Sequence, residues 1–384
     1  MSKLKVSALQ GLSASSDAIT LANDGTCTAN ITNNLSNRNL IINGAMQVAE
    51  HSNSNAGAHN TYAVDRFNFI KESTAANFTM SQSTTSPDGF SKSLKMDCTA
   101  ADTSTAHNEF VMVRYNIEAH DLQQLGYGTS AAKPLVLSFY VRSSLTGTYV
   151  INLLQADNSN KLYSRTYTIN SADTWERKTI SIPADTSGVI NDDNGLGLQI
   201  NFGLTLGSTY KGAGVSPTWE SFTNDRFGSQ HGVNFASSTS NEWYLTGVQL
   251  EVNTSGVATD FEHRSYGDEL AKCQRYYFKI TADDNDSVFL GYSTNGSNFY
   301  GEVPFPTSMR TMPTYTGSGT AARYFSSNTS DDFNFSALAI HGSHTSANPH
   351  HTSMYVAISS ADGGTAGVCQ AQNAVGTLEF SAEL

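Results

Sequence analysis

At 384 residues the chain has room for two to three domains of about 150 residues each, and for a sizeable buried core. Charged residues are only 15%, and 22 Lys+Arg against 34 Asp+Glu leave a formal charge of −12. With no dense basic block, a nucleic-acid backbone and an anionic membrane surface are both poor partners.

No apolar run approaches about 18 residues and Met1–Gln10 lacks an apolar leader core, so neither membrane insertion nor a signal peptide is expected. Cys27, Cys98, Cys273 and Cys369 lie far apart, in no CxxC or Cys/His zinc spacing, and are expected as reduced thiols. Gly (30), Ser, Thr, Asn and aromatics suit many short strands joined by turns.

In chain order, residues 1–37 carry a few apolar side chains (Leu4, Val6, Leu9, Ile19, Leu21) among small polar ones. Fixing a backbone costs about 1–2 kcal/mol per residue, which so thin a segment does not recover from its own contacts. Met1 to Asn37 is therefore expected as an extended or hairpin-like attachment segment that leans on a partner.

Residues 38–265 show period two, best in Leu196, Leu198, Ile200, Phe202, Leu204 and Leu206, and again in Leu135–Val141, Tyr149–Leu153 and Tyr244–Val252. Turn clusters at 145–147, 156–160 and 191–195 separate these runs. The pattern is that of an antiparallel sandwich, not of βαβ units. Ile117–Leu125 hints at one or two helical turns.

Asp268–Phe278 reads as a linker helix (266–280) with Asp268 as N-cap and Leu270, Cys273, Gln274 and Tyr277 at helical spacing. Residues 281–384 then read as a smaller C-terminal β domain. Its strands fall near Val288–Leu290, Asn298–Phe305, Ala337–Ile340, Met354–Ile358 and Leu378–Phe380. Pro304, Pro306 and Pro313 place the second of these at an edge, or make it leave its sheet.

The chemistry-bearing motifs are few. There is no GxSxG, HExxH, Walker A loop or GxGxxG, so hydrolase, zinc-protease and nucleotide-binding readings lack their anchors, although paired carboxylates leave no linear mark. No cofactor and no catalytic residue is assigned. Asp260-Phe-Glu262 reads as a solvated edge, and the Asp/Asn-rich stretches 191–195 and 283–286 read as turns without calcium-loop spacing.

His341, His344, His350 and His351 form the densest imidazole cluster, the one place where a metal is conceivable; a polar surface loop explains them better. Exposed aromatics are a plausible sugar-reading device, and Trp219 and Trp243 fit either that role or the core.

Asn39–Val48, Tyr62–Phe67, Gly128–Ser144, Trp243–Glu251, Phe261–Tyr266, Glu269–Tyr277 and Val303–Thr314 together resemble, in order, a family of bacteriophage virion proteins described as tail-fibre or structural proteins. The resemblance covers roughly residues 38–315. It implies a non-enzymatic, all-β virion component with a jelly-roll, carbohydrate-binding-module-like sandwich on an N-terminal attachment segment, followed by a variable tip. It also implies other virion proteins as partners (tail hub or capsid), a homotrimer, and contact with a host-surface glycan. The expected location is the virion, assembled in the host cytoplasm. The leading reading is a tail fibre; a capsid decoration or head fibre is the alternative, and a polysaccharide depolymerase a more distant one.

Overall fold

The computed structural model describes residues 6–10, 19–21, 23, 27–29, 37–52, 54–157, 160–212, 214–319, 322–325, 330–341, 350–358, 364–372 and 375–384. It is an antiparallel β protein built as a jelly-roll-like sandwich followed by a second set of sheets. The described parts of the first 37 residues include the short strands Ala8–Leu9, Ile19–Leu21 and Cys27–Ala29, paired as an antiparallel ribbon.

The sandwich sets a six-stranded sheet against a seven-stranded one. The first runs Glu176–Ile182, Leu135–Ser143, Glu242–Val252, Ser93–Ala100, Asn77–Ser83, Ser54–Asn55. The second runs Glu220–Ser221, Lys161–Ile169, Gly147–Gln155, Leu196–Leu206, Phe110–Glu118, Phe67–Glu72, Thr61–Tyr62. Period two puts Leu198, Ile200, Phe202 and Leu204 into the interior, where Phe202 meets Phe139 edge-on at 5.2 Å. Trp243 and Trp219 both belong to this core.

One bulge shapes the six-stranded sheet. Ser138 pairs with Gln249 but Tyr140 with Thr246, so the longer strand carries an extra residue there, and Gly247 takes a φ of 61°. A side chain at Gly247 would strike the Phe90 and Tyr140 rings, so glycine is required on both counts.

The linker helix is shorter and starts earlier than the sequence pattern suggests, spanning Tyr266–Gln274. Ser265, not Asp268, is the N-cap: its hydroxyl oxygen accepts the Asp268 amide and its hydroxyl donates to the Asp268 carboxylate. The helix ends before Tyr277 because Tyr277–Ala282 pairs as a strand with Gly376–Ser381. Likewise Ile117 stays in a strand, and the short helix runs Ala119–Leu125, ending at Gly126 with φ 61°.

The second core lies between a three-stranded sheet (Tyr277–Ala282, Gly376–Ser381, Thr314–Ser318) and a seven-stranded sheet. The latter runs Ser330–Phe333, Ala322–Phe325, Thr365–Ala371, Ser287–Ser293, Asn298–Pro304, His351–Ala357, Ala339–Ile340. Asn298–Pro304 is an interior strand, not an edge, and the chain leaves the sheet at Pro304, the last residue paired.

Between the two cores, Arg66 is buried against Glu383 with its guanidinium 3.4 Å from the Tyr276 ring centre, and Glu118 accepts from Arg275 and Tyr276. Among the described residues no helix is long and apolar enough to cross a membrane.

Candidate functional site

The outer face of the C-terminal seven-stranded sheet carries a row of tyrosines. In Ser287–Ser293, Phe289, Gly291 and Ser293 point inward, which leaves Leu290 and Tyr292 outside. In Asn298–Pro304, Phe299, Gly301 and Val303 are buried, leaving Tyr300 and Glu302 outside; in His351–Ala357, Met354 and Val356 are buried, leaving Ser353 and Tyr355. The register places Tyr292 opposite Tyr300 and Tyr300 opposite Tyr355.

The ring centres stand 6.1 and 6.2 Å apart with interplanar angles of 34° and 24°, so the three rings follow one another across the strands as a tilted, then stacked, row. His341 closes its far end edge-on, 5.2 Å from Tyr300 and 5.4 Å from Tyr355. Its position is fixed by its amide, which donates to Ser353 O at 2.8 Å.

An open depression of about 370 Å³ lies over the Tyr292–Tyr300 part of this strip, lined by these two rings with Thr294, Glu302, His341 and Ser353. Tyr292 is 55% exposed and the adjacent Leu290 73%, an unusual amount of apolar surface for one sheet face. Flat amphipathic rings beside a hydroxyl, an imidazole and a carboxylate are the chemistry that receives a sugar: the rings meet its C–H face and the polar groups its hydroxyls. Of the described residues lining the depression, Glu302 alone has a carboxylate.

Of the imidazoles singled out in the sequence, the three that are described, His341, His350 and His351, are not gathered into one ligand set. His341 belongs to the tyrosine strip, His350 faces Ser308 Oγ at 2.7 Å, and His351 opens its strand opposite Pro304. His344 lies outside the described residues. Among the described residues no group of three or more His, Cys, Asp or Glu side chains is arranged to hold a metal ion.

Other expected features have structural partners. Glu262 is no solvated edge: its two carboxylate oxygens accept the Asn37 and Asn39 amides, clamping the chain where the first 37 residues end. Asp193 and Asp286 cap their own turns. Cys98, Cys273 and Cys369 are buried free thiols. The tyrosines themselves escape a sequence reading because only the pairing register lines them up.

No family model and no curated protein matches the chain. Among solved structures it is similar to the enzymatically active domain of tailspike protein 4 of bacteriophage CBA120, at 12% identity and a TM-score of 0.30, over 56% of this chain and 21% of that one. This chain thus spans about a fifth of the tailspike's length. It is also similar to a CBM4 structure (14% identity, TM-score 0.28, 54% of this chain and 97% of that one). A third is the family 11 carbohydrate-binding module from Clostridium thermocellum in complex with a β-1,3-1,4-mixed-linked tetrasaccharide (10%, 0.27, 55% and 99%).

Proposed function

We propose that this chain is a non-enzymatic, glycan-binding component of a bacteriophage particle, a tail fibre or similar appendage that reads a host-surface sugar through the strip Tyr292–Tyr300–Tyr355. The observation that carries the proposal is that strip: three outward-facing aromatic side chains in cross-strand register, two of which, Tyr292 and Tyr300, line an open depression. Among the described residues the depression is lined by one carboxylate, that of Glu302, whereas glycoside cleavage uses a pair.

The virion assignment draws on the resemblance over residues 38–315. It draws also on the N-terminal ribbon, where Val6, Leu9 and Leu21 are exposed as docking to a neighbour or to two further copies requires. Attachment through 1–37 to a tail hub, or to the capsid in the alternative reading, and a homotrimer belong to the same proposal.

The test is a binding panel of purified bacterial capsular and lipopolysaccharide glycans against the intact chain and Tyr300→Ala. At least one glycan is expected to bind, and the variant to lose roughly tenfold, the worth of one aromatic contact of about 1.4 kcal/mol. Equal binding by both proteins overturns the site. Reducing ends released by the pure chain would move the reading to a depolymerase. Antibody labelling of intact particles separates tail from capsid, and a native mass other than three times 41.3 kDa removes the trimer.

A further inference from the structure

The outer face of the sandwich's seven-stranded sheet holds a second organised row, far in sequence from the tyrosine strip. The register sets Ser164, Asn152, Asn201, Arg114, Asn68 and Tyr62 opposite one another across neighbouring strands. One end of the row is tied to the backbone above it: Ser164 Oγ donates to Arg226 O at 3.0 Å and Asn152 Nδ2 to Phe227 O at 2.9 Å. The middle is linked through Asn201, whose Nδ2 donates to Asn152 Oδ1 at 2.9 Å and whose Oδ1 accepts Arg114 Nε at 2.8 Å. Asn152, Asn201 and Asn68 are all but fully buried.

Arg114 is the exception in this network. Arg66, Arg264 and Arg275 have the carboxylates of Glu383, Glu269 and Glu118, while the half-buried Arg165 and Arg310 spend their guanidinium N–H groups on backbone carbonyls. Among the described residues Arg114 forms no ion pair; beyond Nε its contact is Nη2 to Met112 Sδ at 3.8 Å. Burial pushes its guanidinium down to about 10, with Tyr62 only partly offsetting it. On the next strand of the row, Asn68 Oδ1 is buried with no hydrogen-bond partner among the described residues. A desolvated cation without a counter-charge beside an unmet acceptor is costly unless something supplies both.

We propose that this face carries a second ligand site, centred on Arg114, for the carboxylate of an acidic sugar residue. The free edge of the guanidinium takes the planar carboxylate through paired N–H donors, and a sugar hydroxyl answers Asn68 Oδ1. The site shares no residue with the tyrosine strip and stands or falls apart from it.

Calorimetric titration of the full chain tests this with four probes: oligogalacturonide, glucuronate, sodium sulfate and the neutral methyl glucoside. Oligogalacturonide and glucuronate are expected to bind, with at least a tenfold loss in Arg114→Gln, a smaller loss in Arg114→Lys, and no change in Tyr300→Ala. Uronate binding tighter than sulfate assigns the site to sugar carboxylates. Equal, Arg114-dependent binding of both assigns it to free anions. Uronate affinity unaltered by Arg114→Gln overturns the proposal. If that variant does not fold, the wild-type chain still decides, because glucuronate binding no better than methyl glucoside overturns it equally.

Discussion

Gly301 lies beneath the tyrosine strip on the core side of its strand, opposite Gly291. The two missing side chains make room for Phe289 and Phe299, whose rings stack at 5.8 Å and 13°. A Cβ on Gly301 would sit 2.3 Å from Phe289 Cδ2 and 2.8 Å from Leu290 O, and a ring held on both sides by core has little freedom to give way. Gly301→Ala is therefore expected to cost about 1–3 kcal/mol in urea unfolding and to weaken glycan binding through displacement of Tyr300. A cost under about 0.5 kcal/mol would show that the glycine is not needed for this packing. The sequence makes Tyr300 readable as an alternating position, since Phe299 and Val303 flank it at core spacing. It gives no hint that Tyr300 faces Tyr292 and Tyr355, because register is a property of pairing over distances of eight and fifty-five positions. His341 attracts notice for its imidazole, yet its place in the structure is as an edge to two rings.

Leu196–Leu206 is readable from its apolar period, whereas in Glu242–Val252 the bulge at Gly247 moves the core face from Trp243 and Leu245 to Val248 and Leu250, a shift the period alone does not show. Thr314–Ser318 is not readable: its sequence is polar, and it becomes a strand by pairing with Gly376–Ser381. The linker helix ends earlier than its sequence spacing predicts for a related reason. Tyr277 fits helical spacing locally, but the final strand claims it, and helix propensity is a weak prior against a full ladder. That same final segment brings Glu383 to Arg66, joining the C-terminal sheets to the sandwich through a buried pair. Removing one partner leaves a charge uncompensated in the interior, so Glu383→Ala is expected to destabilise by about 3–5 kcal/mol and to split one thermal unfolding transition into two. A single transition within about 1 kcal/mol of the parent would mean that the two cores are coupled elsewhere, through Glu118 and its bonds to Arg275 and Tyr276.

Two buried titrating groups give the folded chain opposing responses to pH. His231 packs over the seven-stranded sheet with Nδ1 accepting the Val150 amide at 3.2 Å and Nε2 beside Leu204 O. Burial first, then Lys211, lowers it to about 4. The unfolded chain therefore binds a proton there between about pH 4 and 6.5 that the folded chain refuses, so stability rises with pH across that window, by roughly 3 kcal/mol. Glu50 does the reverse. At the junction, burial and then Asp65 raise its carboxyl to about 7, with Gln274, His51 and Lys279 only partly compensating. The folded chain holds that proton from about pH 4.5 to 7 while the unfolded chain has lost it, so stability falls as pH climbs through that range; partial exposure limits the effect to about 1 kcal/mol. Of these two groups the histidine has the larger slope, so their combined contribution still rises from about pH 4.5 to 6.5, less steeply than His231 alone dictates. Glu50→Gln isolates the difference, because the amide resembles the protonated acid. The variant should match the parent in urea unfolding at pH 4.5 and exceed it by about 1 kcal/mol at pH 7.5. An equal stability difference at the two pH values would mean that Glu50 ionises in the folded chain as it does in water, and that the junction tolerates its charge.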